Sequence, residues 1–122
     1  MKEIKFRAWH KKLKHMLPNI QNHIGNSDWA FGFLIKDEKV IVMQFIGLKD
    51  KKDKEIFEDD IVRISNVNSG IEGKIFEPFT IVVKYINELA FYNISDYIIE
   101  NAEFALEVIG NIHQNPELIN LG

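Results

Sequence analysis

The chain of 122 residues contains no cysteine, which excludes a disulfide framework and a thiolate metal site. Ser27, Ser65, Ser69 and Ser95 lie in no Gly-x-Ser-x-Gly elbow, and neither a Ser-x-x-Lys pair nor a glycine-rich phosphate loop occurs. Hydrolase and transferase chemistry therefore have no motif to start from. No apolar run is long enough for a membrane span, and Met1-Lys2-Glu3-Ile4-Lys5-Phe6-Arg7 alternates charged and apolar residues, unlike a signal peptide. The expectation is a protein that stays in the cytosol where it is made and needs no membrane and no cofactor. Neither sign of charge dominates. Fifteen Lys and Arg against 18 Asp and Glu leave −3, which argues against a general nucleic-acid binder but not against a local basic patch.

What is present is an ordinary folded composition, 46% hydrophobic and 27% charged. The size is that of one domain, with room for two subdomains. The organising stretch is Val40 to Arg63: an apolar run from Val40 to Leu48, a charged loop from Lys49 to Lys54, and a second apolar run from Glu55. That pattern predicts two strands and a turn. Upstream, Ile4, Phe6 and Ala8 alternate with Lys5, Arg7 and Trp9 as a half-buried strand, and Met16-Leu17 forms its hairpin partner, ended by Pro18. Pro18 to Trp29 reads as a loop. From there the pattern allows either a short helix from Ser27 or a strand through Trp29, Phe31 and Phe33 into Ile35. Lys36-Asp37-Glu38-Lys39 is a turn.

Downstream, Asn66 to Gly70 is a polar loop. Runs at Gly73–Phe76, Phe79–Tyr85 and Ala90–Ile94 have the spacing of a small meandering barrel. Phe104 to Ile109 is a last strand, Gly110 and Asn111 a bend, and Pro116 the first turn of a short helix capped by Asn115.

Three blocks resemble the YopX family of phage and prophage proteins. They are Lys5-Phe6-Arg7-Ala8-Trp9 with His15-Met16-Leu17; Met43 to Lys51 with Lys54-Glu55-Ile56-Phe57-Glu58 and Asp60-Ile61-Val62; and Val108 to Leu118. Two departures from the family pattern stand out: Lys52-Asp53 replaces Asn-Gly, and Asp59 replaces Gly. The family glycines suit positive φ, which Asp tolerates better than most residues. The resemblance implies a bacterial host's cytosol and brings no catalytic activity with it.

Candidate chemistry is sparse. Glu55, Glu58, Asp59 and Asp60 cluster, but their spacing matches no cation loop; Asp60 is expected to hold a turn through backbone amides. His10, His15, His23 and His113 are read as exposed loop residues, with His10 and His15 a conceivable metal pair needing a further carboxylate. Lys49, Lys51, Lys52 and Lys54, together with Lys11, Lys12 and Lys14, make two basic loops. With Arg7 and Trp9 for stacking, they could meet a phosphate backbone. Asp50, Asp53 and Glu55 weaken that field, and solubilising loop ends is the plainer role. The aromatics Phe31, Phe33, Phe45, Phe57, Phe76, Phe79, Phe91 and Phe104 are expected mostly in the core.

The sequence thus predicts a mostly β or α+β fold. An N-terminal β-rich segment, residues 1–50, feeds an SH3-like barrel with a C-terminal tail, residues 51–122; the two together amount to one YopX-like domain. The expected function is binding without catalysis, to a second copy of the chain and to a host or phage macromolecule. Self-contact is expected along Phe79 to Val83. A nucleic-acid-binding module is the alternative, and a metal-dependent hydrolase is a more distant one.

Overall fold

A computed structural model describes residues 3–25, 28–66, 77–86, 91–94 and 104–119. The expected strand at Gly73–Phe76, the loop at Asn66–Gly70 beyond its first residue, and Ser27 lie outside them. The fold is mostly β with a curled, half-barrel sheet, as the sequence predicts. The chain divides into two units, Met1–Gly47 and Leu48–Gly122.

In the first unit, β1 (Phe6–His10) pairs antiparallel with β2 (His15–Leu17), Ala8 opposite Leu17 and His10 opposite His15. On its other side it pairs with β3 (Val40–Lys49), Phe6 opposite Gln44 and His10 opposite Val40. The inward face of this sheet meets a 3₁₀ turn at Ile20–Asn22 and the short helix α1 (Phe31–Leu34). Ala8, Ile20 and Leu34 form the core, with Phe6, Leu17, Phe31, Val40 and Val42 packed against it. The strand alternative for Trp29 to Ile35 is overturned. Ala30 and Leu34, one helical turn apart, are buried, and Leu34 N–H bonds to the Ala30 carbonyl at 2.9 Å. Period two and period 3.6 differ little over so short a run.

In the second unit the apolar run after the charged loop is broken rather than continuous. It forms β4 (Glu55–Phe57) and β5 (Asp60–Asn66), separated at Asp59, whose φ is 70°. β5 is central, flanked by β6 (Phe79–Val82) and β9 (Phe104–Asn111), both antiparallel. Between β6 and β9 in sequence, β7 (Tyr85–Ile86) pairs with β8 (Phe91–Tyr92). Ile61 and Val62 are fully buried, with Ile56, Ile64, Val83 and Ile94. Each such side chain contributes about 1.5–3 kcal/mol relative to exposure.

Along β9 the register skips Ile109: Ile61 opposes Gly110 and Val62 opposes Val108. This bulge turns Ile109 outward, 36% exposed. Beyond it, the Asn111 side-chain oxygen accepts the His113 and Gln114 N–H groups, an Asx turn. The expected short helix follows as a 3₁₀ turn, Pro116–Ile119. The Asn115 side-chain oxygen reaches back to accept the Asn111 N–H at 3.2 Å. A Cβ at Gly110 would stand 2.5 Å from that oxygen. Gly110→Ala must therefore displace the Asn115 side chain and break its bond, and we expect a loss of about 1–2 kcal/mol in urea unfolding. Asn115→Ala should cost less, and the two changes combined should not add.

Candidate functional site

Of the sequence-predicted binding residues, Arg7 and Trp9 are half-buried in β1, opposite Met43 and Ile41 of β3, and so belong to the first unit. Lys49, Lys51, Lys52 and Lys54 belong to the second. The loop carrying them is tied down by Asp50, which is 8% exposed. One carboxylate oxygen of Asp50 accepts the Lys52 and Lys54 N–H groups, each at 2.9 Å. The other accepts the Val108 N–H on β9 at 2.9 Å. Burial raises the Asp50 pKa, but the bonds from Val108, Lys54 and Lys52 outweigh it and leave the carboxyl below its ordinary value. Lys51 N–H bonds to the Leu106 carbonyl. The Lys52 ammonium sits 2.7 Å from Glu107, a hydrogen bond that raises the lysine and lowers the carboxyl. Lys49 lies 3.8 Å from Asp53. Asp53 has φ 67°, so both positions where the family carries glycine are left-handed here.

The acidic cluster separates by role. Asp60 accepts the Phe57 N–H at 2.8 Å and so fastens the turn between β4 and β5, as expected. Asp59 does something the sequence reading missed. Its carboxylate takes the Lys84 ammonium at 2.6 Å on one oxygen and His113 Nε2 at 2.9 Å on the other. Its backbone is bonded too, N–H to the Val83 carbonyl and carbonyl from the Ile112 N–H. Burial would raise this carboxyl; the hydrogen bonds from Lys84 and His113, and their charges, bring it below the ordinary value. Tyr92 stands at the other extreme, pushed up to about 12 by burial and by the charges of Glu58 and Tyr85.

Two histidines correct the exposed-loop reading. His113 is 11% exposed at its side chain and held on Asp59, and His10 is 8% exposed. His10 and His15 do face each other across β1 and β2. Among the described residues no three His, Asp or Glu side chains stand together as a metal set. The carboxylate–imidazole pair of Asp59 and His113 fastens the Asn111 turn to the start of β5. A glycine at position 59 elsewhere in the family would dispense with this link. That fits a structural role better than chemistry.

Fold and clusters define a small, mostly β protein of two units whose polar groups lock turns. The chain belongs to the family described as YopX protein, whose model matches residues 5–120. It is similar over 98% of its length to protein EF1440 from Enterococcus faecalis, whose crystal structure is covered in full, with 27% identity and a TM-score of 0.65. None of the curated proteins matches it. No helix among the described residues is long and apolar enough to cross a membrane.

Proposed function

We propose that this is a non-enzymatic phage or prophage accessory protein of the bacterial cytosol. It acts by binding, first to a second copy of itself and then to a host or phage macromolecule. The observation that carries this reading is the apolar surface of the segment around α1. Ile24 is 87% exposed, Phe33 53% and Ile35 50%. Large apolar side chains exposed so close together in sequence are unusual for a surface that meets only water.

The contact expected along Phe79 to Val83 cannot be kept as drawn. Phe79 is 37% exposed, but Val83 is fully buried and its N–H is bonded to the Asp60 carbonyl. A charge at Val83 would unfold the unit rather than split an oligomer. The nucleic-acid alternative has less to draw on, since Lys52 and Lys49 are engaged with acidic partners.

Light scattering at micromolar concentration should give at least twice the monomer mass. Phe33→Asp with Ile35→Asp, both at exposed positions, should lower it to the monomer without loss of the folded circular-dichroism spectrum. A parent that is monomeric across that range would sink the self-association.

A further inference from the structure

A hollow of about 200 Å³ opens in the first unit, lined by His10, Asp28, Trp29, Leu34, Asp37 and Lys39. The space equals the liquid volume of about six or seven waters. That suits one small metabolite rather than a peptide or a nucleotide. His10 is over nine-tenths buried at the end of β1, and its Nδ1 accepts the Leu13 N–H at 3.0 Å. With Nδ1 an acceptor, the neutral ring carries its proton on Nε2, a donor for which the described residues supply no acceptor. Nε2 is not sealed away from solvent, so it opens to the hollow and can donate to a molecule bound there.

The other groups divide by chemistry. Asp28 and Asp37 are carboxylates, and one Asp37 oxygen is committed to the Lys39 N–H at 2.8 Å. Lys39 supplies a cation. Leu34 is 1% exposed, and the Trp29 ring lies tilted against the His10 ring at 5.8 Å, so the remaining lining is apolar and aromatic.

The geometry points to a binding site for a free α-amino acid with an apolar side chain. Its ammonium goes to the Asp28 and Asp37 carboxylates. Its carboxylate takes the His10 Nε2 proton and the Lys39 ammonium. Its side chain lies against Trp29 and Leu34. A simple cation would meet the like charge of Lys39, and a simple anion would face two carboxylates; a zwitterion is complementary to all four polar groups. The site goes beyond the self-association reading and does not use Phe33 or Ile35, so the Phe33→Asp, Ile35→Asp variant tests the two separately.

The experiment is a titration of the full chain with L-leucine and with L-phenylalanine, read on the indole N–H resonances of Trp9 and Trp29 by NMR. Trp29→Phe assigns the signals. The expected result is a saturable shift of the Trp29 resonance at millimolar or lower ligand, with the Trp9 resonance fixed. Phenethylamine and 4-methylpentanoate, which are L-phenylalanine without its carboxylate and L-leucine without its ammonium, should bind at least tenfold more weakly. His10→Gln should weaken binding, and since a buried position can fail to fold, Asp28→Asn and Lys39→Met at exposed positions provide the same test. The proposal is overturned by no saturable shift, by phenethylamine binding as well as L-phenylalanine, or by folded Asp28→Asn and Lys39→Met variants that bind like the parent.

Discussion

Asp50→Ala should be among the most damaging single changes in this chain, lowering the unfolding free energy by about 3–5 kcal/mol although it removes no apolar contact. A hydrogen bond to a charged group contributes about 1.5–3 kcal/mol, and a donor stripped of its acceptor inside the protein costs about as much again. Three backbone donors, on Lys52, Lys54 and Val108, lose their acceptor together. Part of that loss is recovered because water reaches the lysine loop, so the terms do not add in full. Asp50→Asn keeps one oxygen, which can serve the loop or Val108 but not both, and should cost roughly half as much. The pH dependence has a definite sign. The folded-state carboxyl binds its proton less readily than the unfolded one, so its contribution is complete above the ordinary carboxylate pKa. It is lost as pH falls from about 4 through the lower folded value. Urea midpoints between pH 7 and pH 2 should therefore fall less steeply for Asp50→Ala than for the parent. A variant within about 1 kcal/mol of the parent at pH 7 would show that the bonds to Asp50 do not hold the loop.

Much of the fold is legible in the chain because strands here are short apolar runs between turn formers. β1, β2 and β3 follow directly from alternation and from Pro18, and the burial of Ile61 and Val62 from their place in the second run. The two left-handed turns at Asp53 and Asp59 were legible in another way. A glycine in the family pattern marks a backbone that a side chain merely tolerates. What the sequence hides are links between distant residues. Asp50 meets Val108 across 58 positions, and Asp59 meets His113 across 54. Nothing local in a solvated acidic run distinguishes Asp59, with its Lys84 and His113 partners, from Glu58 beside it. Breaks inside apolar runs were hidden for the same reason. Val83 looks like another strand residue, yet β6 ends at Val82 and only the Val83 N–H bond to the Asp60 carbonyl carries the pairing one residue further. The hollow at His10 was hidden as well, since Asp28 reads as a loop residue and Asp37 and Lys39 as turn residues until α1 packs beside β1.

Asp59 offers a test in which backbone and side chain pull in opposite directions. Asp59→Ala removes the acceptor for Lys84 and His113 and also places a Cβ residue with no polar compensation at φ 70°. Asp59→Gly removes the same acceptor but relaxes the left-handed backbone, which costs an L-residue about 1–2 kcal/mol. Against this stands the greater freedom of glycine in the unfolded chain, about 0.5–1 kcal/mol. We therefore expect Asp59→Ala to cost about 2–4 kcal/mol and Asp59→Gly to cost less by up to about 1 kcal/mol. The two partners should contribute unequally. Lys84 is 56% exposed at its side chain and held in solvent, whereas His113 is 11% exposed. Double-mutant cycles should then give a larger coupling for Asp59 with His113 than for Asp59 with Lys84. Asp59, like Asp50, has a lowered carboxyl, so its contribution holds above the ordinary carboxylate range and fades as pH falls through the lower folded value. Chemical denaturation of the parent, the Asp59→Ala and Asp59→Gly variants, and the His113→Ala and Lys84→Ala cycle partners measures each quantity. A glycine variant less stable than the alanine variant would refute the backbone argument, and a cycle dominated by Lys84 would refute the assignment of the link to His113.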